Sequence, residues 1–245
     1  MAEHKTNCFK CIKNGACELQ AMAREYGIDV PNFKSSHGDV QHEPFDAHPF
    51  LSYDPGLCIQ CQRCISTCAK ATGRHALSLE RNGARVYVKV PFGEGWENSL
   101  CESCGNCAQA CPTGALTIKR RKDYREWEVK KVRTTCPHCA TGCQMDLYVK
   151  DGKIVDVQGA DGPSNPNLLC VKGRSGSFDF VDCDARIRYP LIKNKETGEF
   201  ERATWDEALN LVASKFSEIR NQYGGEALAG FACSRSTNED IYMLQ

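Results

Sequence analysis

The chain has 245 residues, no net formal charge and 17 cysteines. A net charge of zero gives no argument for nucleic acid or a membrane surface as a partner. No apolar run approaches the roughly 20 residues of a spanning helix, and the N-terminus has neither an apolar signal core nor twin arginines, so we predict a cytoplasmic protein. In a reducing cytoplasm so many cysteines are expected to bind metal rather than form disulfides. All but Cys183 and Cys233 fall into four tight groups.

The first group has three cysteines and one histidine within residues 4–17. Its spacing resembles that of the histidine-ligated [4Fe–4S] cluster in iron-only hydrogenases and in the large iron–sulfur subunit of respiratory complex I. The alternative is that the histidine lies on the surface near the N-terminus. The ligands that the resemblance implies are His4, Cys8, Cys11 and Cys17.

The residues that follow, 17–28, predict a helix packed over this first site. The predicted contact side consists of Leu19, Met22 and Tyr26. Because imidazole in place of thiolate removes one negative charge, this cluster is expected to have a raised reduction potential.

The second and third groups both have the spacing C-x2-C-x2-C-x3-C, the bacterial ferredoxin run for [4Fe–4S] clusters. Three closely spaced cysteines bind one face of a cubane, and the fourth cysteine of each run binds the other cluster. Alternating residues around Asn82-Gly83 predict a hairpin that brings the two runs face to face, and a further strand follows Cys111. We expect one cluster on Cys58, Cys61, Cys64 and Cys111. The other is expected on Cys101, Cys104, Cys107 and Cys68.

Zinc is the alternative metal for paired cysteines. Three cysteines at successive x2 spacings followed by an x3 spacing are unusual for zinc, so the pattern favours iron–sulfur clusters. One departure from small ferredoxins is visible, since Ala69 rather than proline follows Cys68. All eight cysteines of the two runs are nevertheless present.

The fourth group has the spacing C-x2-C-x3-C-x26-C and encloses two predicted strands, residues 144–150 and 153–159, joined by an Asp-Gly turn. It resembles the N-terminal iron–sulfur domain of the molybdopterin oxidoreductases, especially formate dehydrogenases. The resemblance implies that Lys172 lies between the cluster and a pterin as an electron relay, whereas the alternative is an ordinary solvated lysine. The implied cluster ligands are Cys136, Cys139, Cys143 and Cys170.

Residues 186–245 resemble the start of the cofactor-binding region of the same family. Thr204 and Glu207 predict a capping box for an amphipathic helix that stops at Gly224-Gly225. A short buried strand at 227–233 and a second helix in 236–245 suggest α/β structure with parallel strands. The turn at 234–238 is expected to cap that helix, with a ribose or pterin contact as the alternative. Cys183 and Cys233 match no ligand spacing and are expected to be buried as small apolar residues.

The predicted fold class is α+β, with small iron–sulfur modules followed by the start of an α/β molybdopterin-binding region. The modules are a helix–loop segment that carries the histidine and three cysteines (1–33), a two-cluster ferredoxin domain (53–119) and a β-rich [4Fe–4S] domain (133–190). Residues 34–52 and the basic residues 120–132 are expected to be linkers, and 191–245 begin the molybdopterin-binding region. The basic linker is expected to be solvated, with docking onto an acidic redox partner as the alternative.

The resemblance implies the electron-transfer portion of a formate dehydrogenase-like oxidoreductase with four [4Fe–4S] clusters. Bis-molybdopterin guanine dinucleotide with molybdenum or tungsten is expected only in the complete enzyme. No catalytic residue is expected in this chain, because the family's metal-coordinating residue lies beyond the point that matches residue 245. The expected partner in a hetero-oligomer is an NAD-binding flavoprotein, a hydrogenase subunit or a ferredoxin-type iron–sulfur subunit. The alternative function is a non-catalytic subunit like the large iron–sulfur subunit of complex I.

Overall fold

The computed structural model describes residues 4, 7–29, 48–82, 85–89, 98–119, 124–176, 178–236 and 238–244. The chain divides into two compact units, Met1–Phe178 and Asp179–Gln245. Both contain short helices and small antiparallel sheets, which confirms the predicted mixture of helix and strand. Within the described ranges, no helix combines the length and the apolar character needed to cross a bilayer.

The predicted N-terminal helix is present as α1, Glu18–Glu25. It is held at its first residue, because the Glu18 amide donates to the Pro112 carbonyl at 3.0 Å and its carboxylate pairs with Arg63 at 2.7 Å. The predicted packing of its apolar side is wrong in part, since Met22 and Tyr26 are exposed. The helix is therefore anchored by polar contacts at its start rather than by an apolar face.

The ferredoxin-like part is built from two similar halves. Each half contributes a cysteine loop followed by a short helix, α2 (Arg63–Thr67) and α3 (Asn106–Ala110). Strand β1 (Leu51–Tyr53) pairs antiparallel with β4 (Leu116–Ile118), which confirms the strand predicted after the third cysteine group. Strand β1 begins at Leu51, so residues 51–52, the end of the predicted 34–52 linker, belong to the ferredoxin-like part. Residues 34–47 lie outside the described residues.

The predicted hairpin between the cysteine runs is confirmed as β2 (Ser78–Asn82) and β3 (Arg85–Lys89), and residues 83–84 lie outside the described residues. It is tied to the rest of the ferredoxin-like part by Tyr53, whose hydroxyl accepts from the Val88 amide at 3.2 Å. Leu51, Leu77 and Leu116 are buried in the core that Tyr53 and Val88 share with the cysteine helices.

The third part is a three-stranded antiparallel sheet in the order β5 (Lys130–Thr135), β6 (Gln144–Lys150) and β7 (Lys153–Gly159). The predicted turn is confirmed, since Asp151 and Gly152 have φ of 51° and 75°, the conformation of a two-residue hairpin. A helix, α4 (Val171–Ser175), packs against β7. Met145 and Leu169 are buried in the core beneath this sheet.

The structure differs from the predicted basic linker over its described residues. Strand β5 begins at Lys130, and Tyr124 is 1% exposed, so this segment is part of the packed structure although most of its charged side chains are exposed. The Tyr124 hydroxyl donates to Asp156 at 2.7 Å, and its ring contacts that of Tyr148. Strand β5 is an edge strand with mostly exposed side chains, and several of these are lysine or arginine. For this reason its sequence has the composition of a linker.

Asn165 holds the loop that leads from the sheet to α4. This loop contains a two-stranded bridge, β8 (Asp161–Gly162) with β9 (Asn165–Pro166). The Asn165 side chain is buried, its Nδ2 donates to the carbonyls of Gln144, Ala160 and Leu168, and its Oδ1 accepts from the Gln144 amide at 2.7 Å. A single side chain therefore satisfies four backbone groups.

The second unit contains β10 (Leu191–Lys193) paired antiparallel with β11 (Phe200–Arg202), then α5 (Trp205–Tyr223) and α6 (Asn238–Met243). The capping box is confirmed, since Thr204 Oγ1 accepts from the Glu207 amide and Glu207 accepts from the Thr204 amide. Gly224, at φ 85°, ends α5 as predicted.

The predicted buried strand at 227–233 is wrong. Residues 228–233 have no regular secondary structure, and Phe231 is 94% exposed. A strand needs a neighbour to pair its backbone groups, and the described residues of this unit offer none beside it. The parallel sheet expected here is likewise not seen in those residues.

We predict that Asn165→Ala lowers the free energy of unfolding by roughly 2–4 kcal/mol, because it leaves several buried backbone groups without partners. Chemical denaturation without oxygen measures this loss. Asn221→Ala, on the exposed surface of α5, is the control and should change stability by less than about 0.5 kcal/mol. Equal stability of the two variants would contradict the role given to Asn165.

Candidate iron–sulfur sites

Two cysteine loops of the ferredoxin-like part share an unusual backbone. Gln60 and Gln62 in one loop have φ of 56° and 61°, and Ser103 and Gly105 in the other have φ of 57° and 72°. This left-handed conformation costs roughly 1–2 kcal/mol for a residue with a Cβ. In each loop it turns a backbone amide towards sulfur. The Gln60 amide donates to Cys58 Sγ and the Ser103 amide donates to Cys101 Sγ, both at 3.4 Å.

Amides aimed at sulfur favour the thiolate, which is the form that binds iron. The two loops are therefore shaped to hold negative sulfur atoms rather than thiols or a disulfide. Within the described residues every cysteine is unbridged.

The structure brings the fourth cysteine of each run to the other run. Burial raises the pKa of Cys64 to about 12, and the neighbouring charges of Cys111 and Cys58 contribute to that rise. Burial also raises the pKa of Cys101, and among its neighbours is the charge of Cys68. Cys111 lines a small cleft together with Cys58, Cys61 and Cys64, and Cys68 lines another together with Cys101, Cys104 and Cys107. The ligand grouping itself stays a prediction.

The fourth group also converges. Burial raises the pKa of Cys136, followed by the charges of Cys143, Cys170 and Cys139. The Cys136 amide donates to the Cys143 carbonyl at 2.8 Å, which closes the loop that carries the first three cysteines. Cys170 is the N-cap of α4, which packs against β7.

The donor set of these three groups fits [4Fe–4S] clusters. Burial, followed by the charges of neighbouring cysteines, raises the pKa of two cysteines in each group, such as Cys64, Cys101 and Cys136. A positively charged metal core would compensate the negative charge of such a set. In the described residues, no three His, Cys, Asp or Glu side chains meet at one point as the ligands of a single ion would. In the two ferredoxin-like groups, four cysteines instead line one common cleft each.

His4 has one ring nitrogen that is hydrogen-bonded and one that is unpaired within the described part of the chain. Burial lowers the pKa of its imidazole, followed by the charge of the N-terminus, while a hydrogen bond with the Leu57 backbone opposes the shift. Its Nδ1 is buried and has no hydrogen-bond partner among the described residues. A neutral ring with one nitrogen on a carbonyl and the other unpaired matches the usual arrangement of metal-binding histidines.

Arg125, which sequence reasoning placed in a solvated linker, holds the first cysteine segment in place. Its guanidinium donates to the carbonyls of Cys11, at 2.5 Å, and Phe9, at 2.8 Å. The Cys11 sulfur also lies close to Gly114, three residues after Cys111, since a Cβ added to Gly114 would meet it at 3.0 Å.

His48 is a further residue that the cysteine spacing did not reveal. It is buried, and its Nδ1 accepts from the amides of Phe50 and Leu51, both at 3.0 Å. The proton must therefore reside on Nε2, which lies 3.5 Å from Cys101 Sγ and donates to it. No sequence signal marks this histidine, because it lies 53 residues before the sulfur that it contacts.

Lys172 lies on α4, two residues after Cys170, and its side chain is partly exposed to solvent. Burial lowers the pKa of His138, in the loop between Cys136 and Cys139, and the charge of Lys172 lowers it further. The lysine therefore lies at the fourth cysteine group, and its relay role stays a prediction.

The predicted burial of Cys183 and Cys233 is wrong, because both are exposed. They lie in irregular segments of the second unit, where no packed element covers them in the described residues. Cys233 Sγ lies 3.9 Å from Ser236 Oγ. Residue 237 lies outside the described residues, so the predicted capping role of 234–238 stays a prediction.

Arg174 connects the third part, which contains the three-stranded sheet, to the ferredoxin-like part. Its Nε donates to the Cys104 carbonyl at 2.9 Å, and its Nη2 donates to the side-chain oxygens of Asn106 and Gln109 at 2.8 and 2.5 Å. Gln109 also exchanges hydrogen bonds with Gly159 at 2.9 Å in each direction. The two parts are thus connected through one buried polar network.

Four family models match successive stretches of the chain. Residues 1–31 match the NADH-ubiquinone oxidoreductase-G iron–sulfur binding region, and residues 49–117 match the ferredoxin-like domain of NADH-quinone oxidoreductase subunit 3. Residues 129–179 match the molybdopterin oxidoreductase Fe4S4 domain, and residues 186–245 match molybdopterin oxidoreductase itself. Residues 129–179 are thus similar to the iron–sulfur domain of the molybdopterin oxidoreductases. These matches confirm the resemblances inferred from the sequence.

The names of curated relatives refer either to formate dehydrogenase or to NADH-quinone oxidoreductase. A Staphylococcus haemolyticus protein named "Putative formate dehydrogenase" is 30% identical over 292 residues, and a Rhizobium meliloti protein named as a subunit of NADH-quinone oxidoreductase is 32% identical over 249 residues. Both alignments cover 100% of this chain but only 28% of the relative. The chain thus spans about a quarter of the length of these relatives and corresponds to their iron–sulfur electron-transfer region.

Gly105 offers a test of the contact between the two parts. A Cβ at Gly105 would lie 2.5 Å from Arg174 Cδ, whereas a Cβ at Gly73 would meet nothing within 4 Å. Both glycines have positive φ, 72° and 64°, so alanine is similarly strained at each. We predict that Gly105→Ala lowers the midpoint of thermal unfolding by several degrees more than Gly73→Ala. Equal midpoints would show that the Arg174 contact contributes no stability.

Proposed function

We propose that the chain is the electron-transfer portion of a formate dehydrogenase-like oxidoreductase and binds four [4Fe–4S] clusters. The observation that carries the proposal is that each cysteine run shares a cleft with the last cysteine of the other run. Cys111 lines the cleft of the first run and Cys68 lines the cleft of the second. Such crossing is the arrangement of two-cluster ferredoxins. The converging fourth group and the match to the molybdopterin oxidoreductase Fe4S4 domain support a relay that leads towards a pterin site.

The four ligand sets are proposed as predicted from the sequence. They are His4, Cys8, Cys11 and Cys17; Cys58, Cys61, Cys64 and Cys111; Cys101, Cys104, Cys107 and Cys68; and Cys136, Cys139, Cys143 and Cys170. The clusters, when bound, supply one-electron redox chemistry. The residues of this chain hold them, exclude water and provide hydrogen bonds that adjust their potentials, as the amides of Gln60 and Ser103 and the imidazole of His48 do towards sulfur.

In the complete protein, Lys172 would lie between the fourth cluster and a molybdenum or tungsten cofactor of the bis-molybdopterin type. Formate and CO2 are the proposed substrate pair, and an NAD-binding flavoprotein, a hydrogenase subunit or a ferredoxin-type subunit is the proposed partner in the cytoplasm. The name of the Staphylococcus haemolyticus relative supports this choice of substrate.

A second candidate is a non-catalytic electron-transfer subunit like the large iron–sulfur subunit of complex I. The matches of residues 1–31 and 49–117 to NADH-oxidising quinone reductases favour it, as does the 32% identical relative from Rhizobium meliloti. Both candidates use the same relay, and they differ in whether electrons enter or leave at a pterin-bound metal.

Metal analysis separates these candidates. We expect about sixteen irons per chain, together with one molybdenum or tungsten, in the protein purified without oxygen from its native source. The same iron without either heavy metal would favour the non-catalytic subunit. Zinc in place of iron would contradict both.

His4→Cys tests the histidine ligand. We predict that the variant retains its iron but that one cluster becomes harder to reduce, by about tenfold or more in its reduction equilibrium, because thiolate adds a negative charge. Redox titration followed by electron paramagnetic resonance measures the change. The exposed His75 supplies the control His75→Asn, since asparagine tolerates its φ of 50°. Unchanged cluster potentials in His4→Cys would exclude His4 as a ligand.

A further inference from the structure

Arg174 is a buried cation with no ion-pair partner in the described part of the chain. Its residue is 5% exposed, and its Nη1 is buried without a hydrogen-bond partner among the described residues. The other nitrogens donate to a carbonyl and to two side-chain amides, which are neutral acceptors. A buried guanidinium without a countercharge is destabilising by several kcal/mol, so the folded protein must supply negative charge nearby.

Asp156 does not supply that charge by direct pairing. It lines the same small cleft as Arg174, but no ion pair joins the two in the described residues. Its carboxylate accepts instead from the Tyr124 hydroxyl, the Val157 amide and the Gln158 side chain. The carboxylate is thus already held by three other donors.

The remaining negative groups around Arg174 are cysteine sulfurs from two different sets. The Arg174 Nε donates to the Cys104 carbonyl at 2.9 Å, and its backbone amide donates to the Cys170 carbonyl at 3.1 Å. Cys104 belongs to the third proposed cluster, and Cys170 belongs to the fourth. The buried cation therefore lies within electrostatic reach of both.

Asn106 connects the same two sets by hydrogen bonds. Its Nδ2 donates to Cys104 Sγ at 3.4 Å, while its Oδ1 accepts from Arg174 and from the Leu169 amide at 3.1 Å. Leu169 directly precedes Cys170. A continuous polar path thus runs from a ligand of the third cluster, through one side chain, to the backbone beside a ligand of the fourth.

We propose that Arg174 is a positioning residue that serves as the shared countercharge of the third and fourth clusters and raises the reduction potential of both. The inference rests on the proposed function, because it requires clusters at both cysteine sets. Reduction adds one electron to a cluster that is already negative with its thiolates. A fixed positive charge stabilises that added charge more strongly in a buried site than it would in water, because the dielectric constant is lower there. Because the two clusters share the cation, their potentials are adjusted together, which suits electron transfer between them.

Arg174→Met tests the inference in the complete native protein, purified without oxygen. Removing the charge should shift the reduction equilibria of two clusters by about tenfold towards the oxidised form, or about 59 mV for a one-electron couple. Arg174→Lys should restore most of this shift because it keeps the charge. Arg133→Met removes an exposed arginine that pairs with Asp146 at 2.5 Å, and it should shift none. Redox titration with electron paramagnetic resonance detection measures all four proteins.

Loaded clusters with unchanged potentials in Arg174→Met would overturn the inference and leave the proposed function intact. A shift confined to one cluster would also overturn the shared role. Absence of clusters from the unmodified protein would instead overturn the proposed function itself. The two failures are thus distinguished by iron content.

Asn106→Asp keeps the inference testable if Arg174→Met fails to assemble. This near-isosteric change places a carboxylate against the guanidinium and neutralises it without deleting it. Both clusters should again become harder to reduce, and the cluster on Cys104 more so, because it also loses the donor to its sulfur. Unchanged potentials in this variant would overturn the inference.

Discussion

Mutual repulsion of clustered thiolates is the constraint on which the rest of this structure depends. Each group of cysteines gathers negative charge in a place from which water is partly excluded, and such a group is stable only if charge and hydrogen-bond donors surround it. The chain provides these donors from its backbone. The left-handed residues Gln60 and Ser103 cost conformational energy, and each turns an amide towards a sulfur. Local strain and electrostatic stabilisation are thus two aspects of one loop.

The same constraint explains how the small parts of the first unit adhere to one another. Each part has only a modest apolar core, and the connections between parts are polar. Arg125 holds the first cysteine segment through carbonyls, and Arg174 holds the third part through a carbonyl and two side-chain amides. A buried cation such as Arg174 would be destabilising in an ordinary protein interior but is compatible with one that holds the proposed iron–sulfur clusters.

Sequence reasoning succeeded where the signal is local. The C-x2-C spacings predicted the loops, Asp151-Gly152 predicted a hairpin turn, and Thr204 with Glu207 predicted a capping box, because each pattern acts within a few residues. Contacts between distant residues were missed. Nothing near His48 marks it as a donor to Cys101, and nothing near Tyr124 indicates that this one side chain of a basic segment is buried. The failed strand at 227–233 has the same origin, since a strand is defined by its neighbour rather than by its own composition.

The helix that follows Cys170 carries two cations on different sides, one on each side of the fourth cysteine group. Lys172 and Arg174 are two positions apart on α4, so their side chains leave the helix axis roughly 200° apart. Arg174 is buried against the third cysteine set, whereas Lys172 is partly exposed. Gly173 between them is buried, and a Cβ there would lie 3.6 Å from Cys136 Sγ. A single turn thus places one cation on the inner side of the fourth cysteine group and another on its open side. In the proposed relay, the inner cation stabilises an added electron on either of the two clusters, and the outer one would lie on the side of the pterin-bound metal.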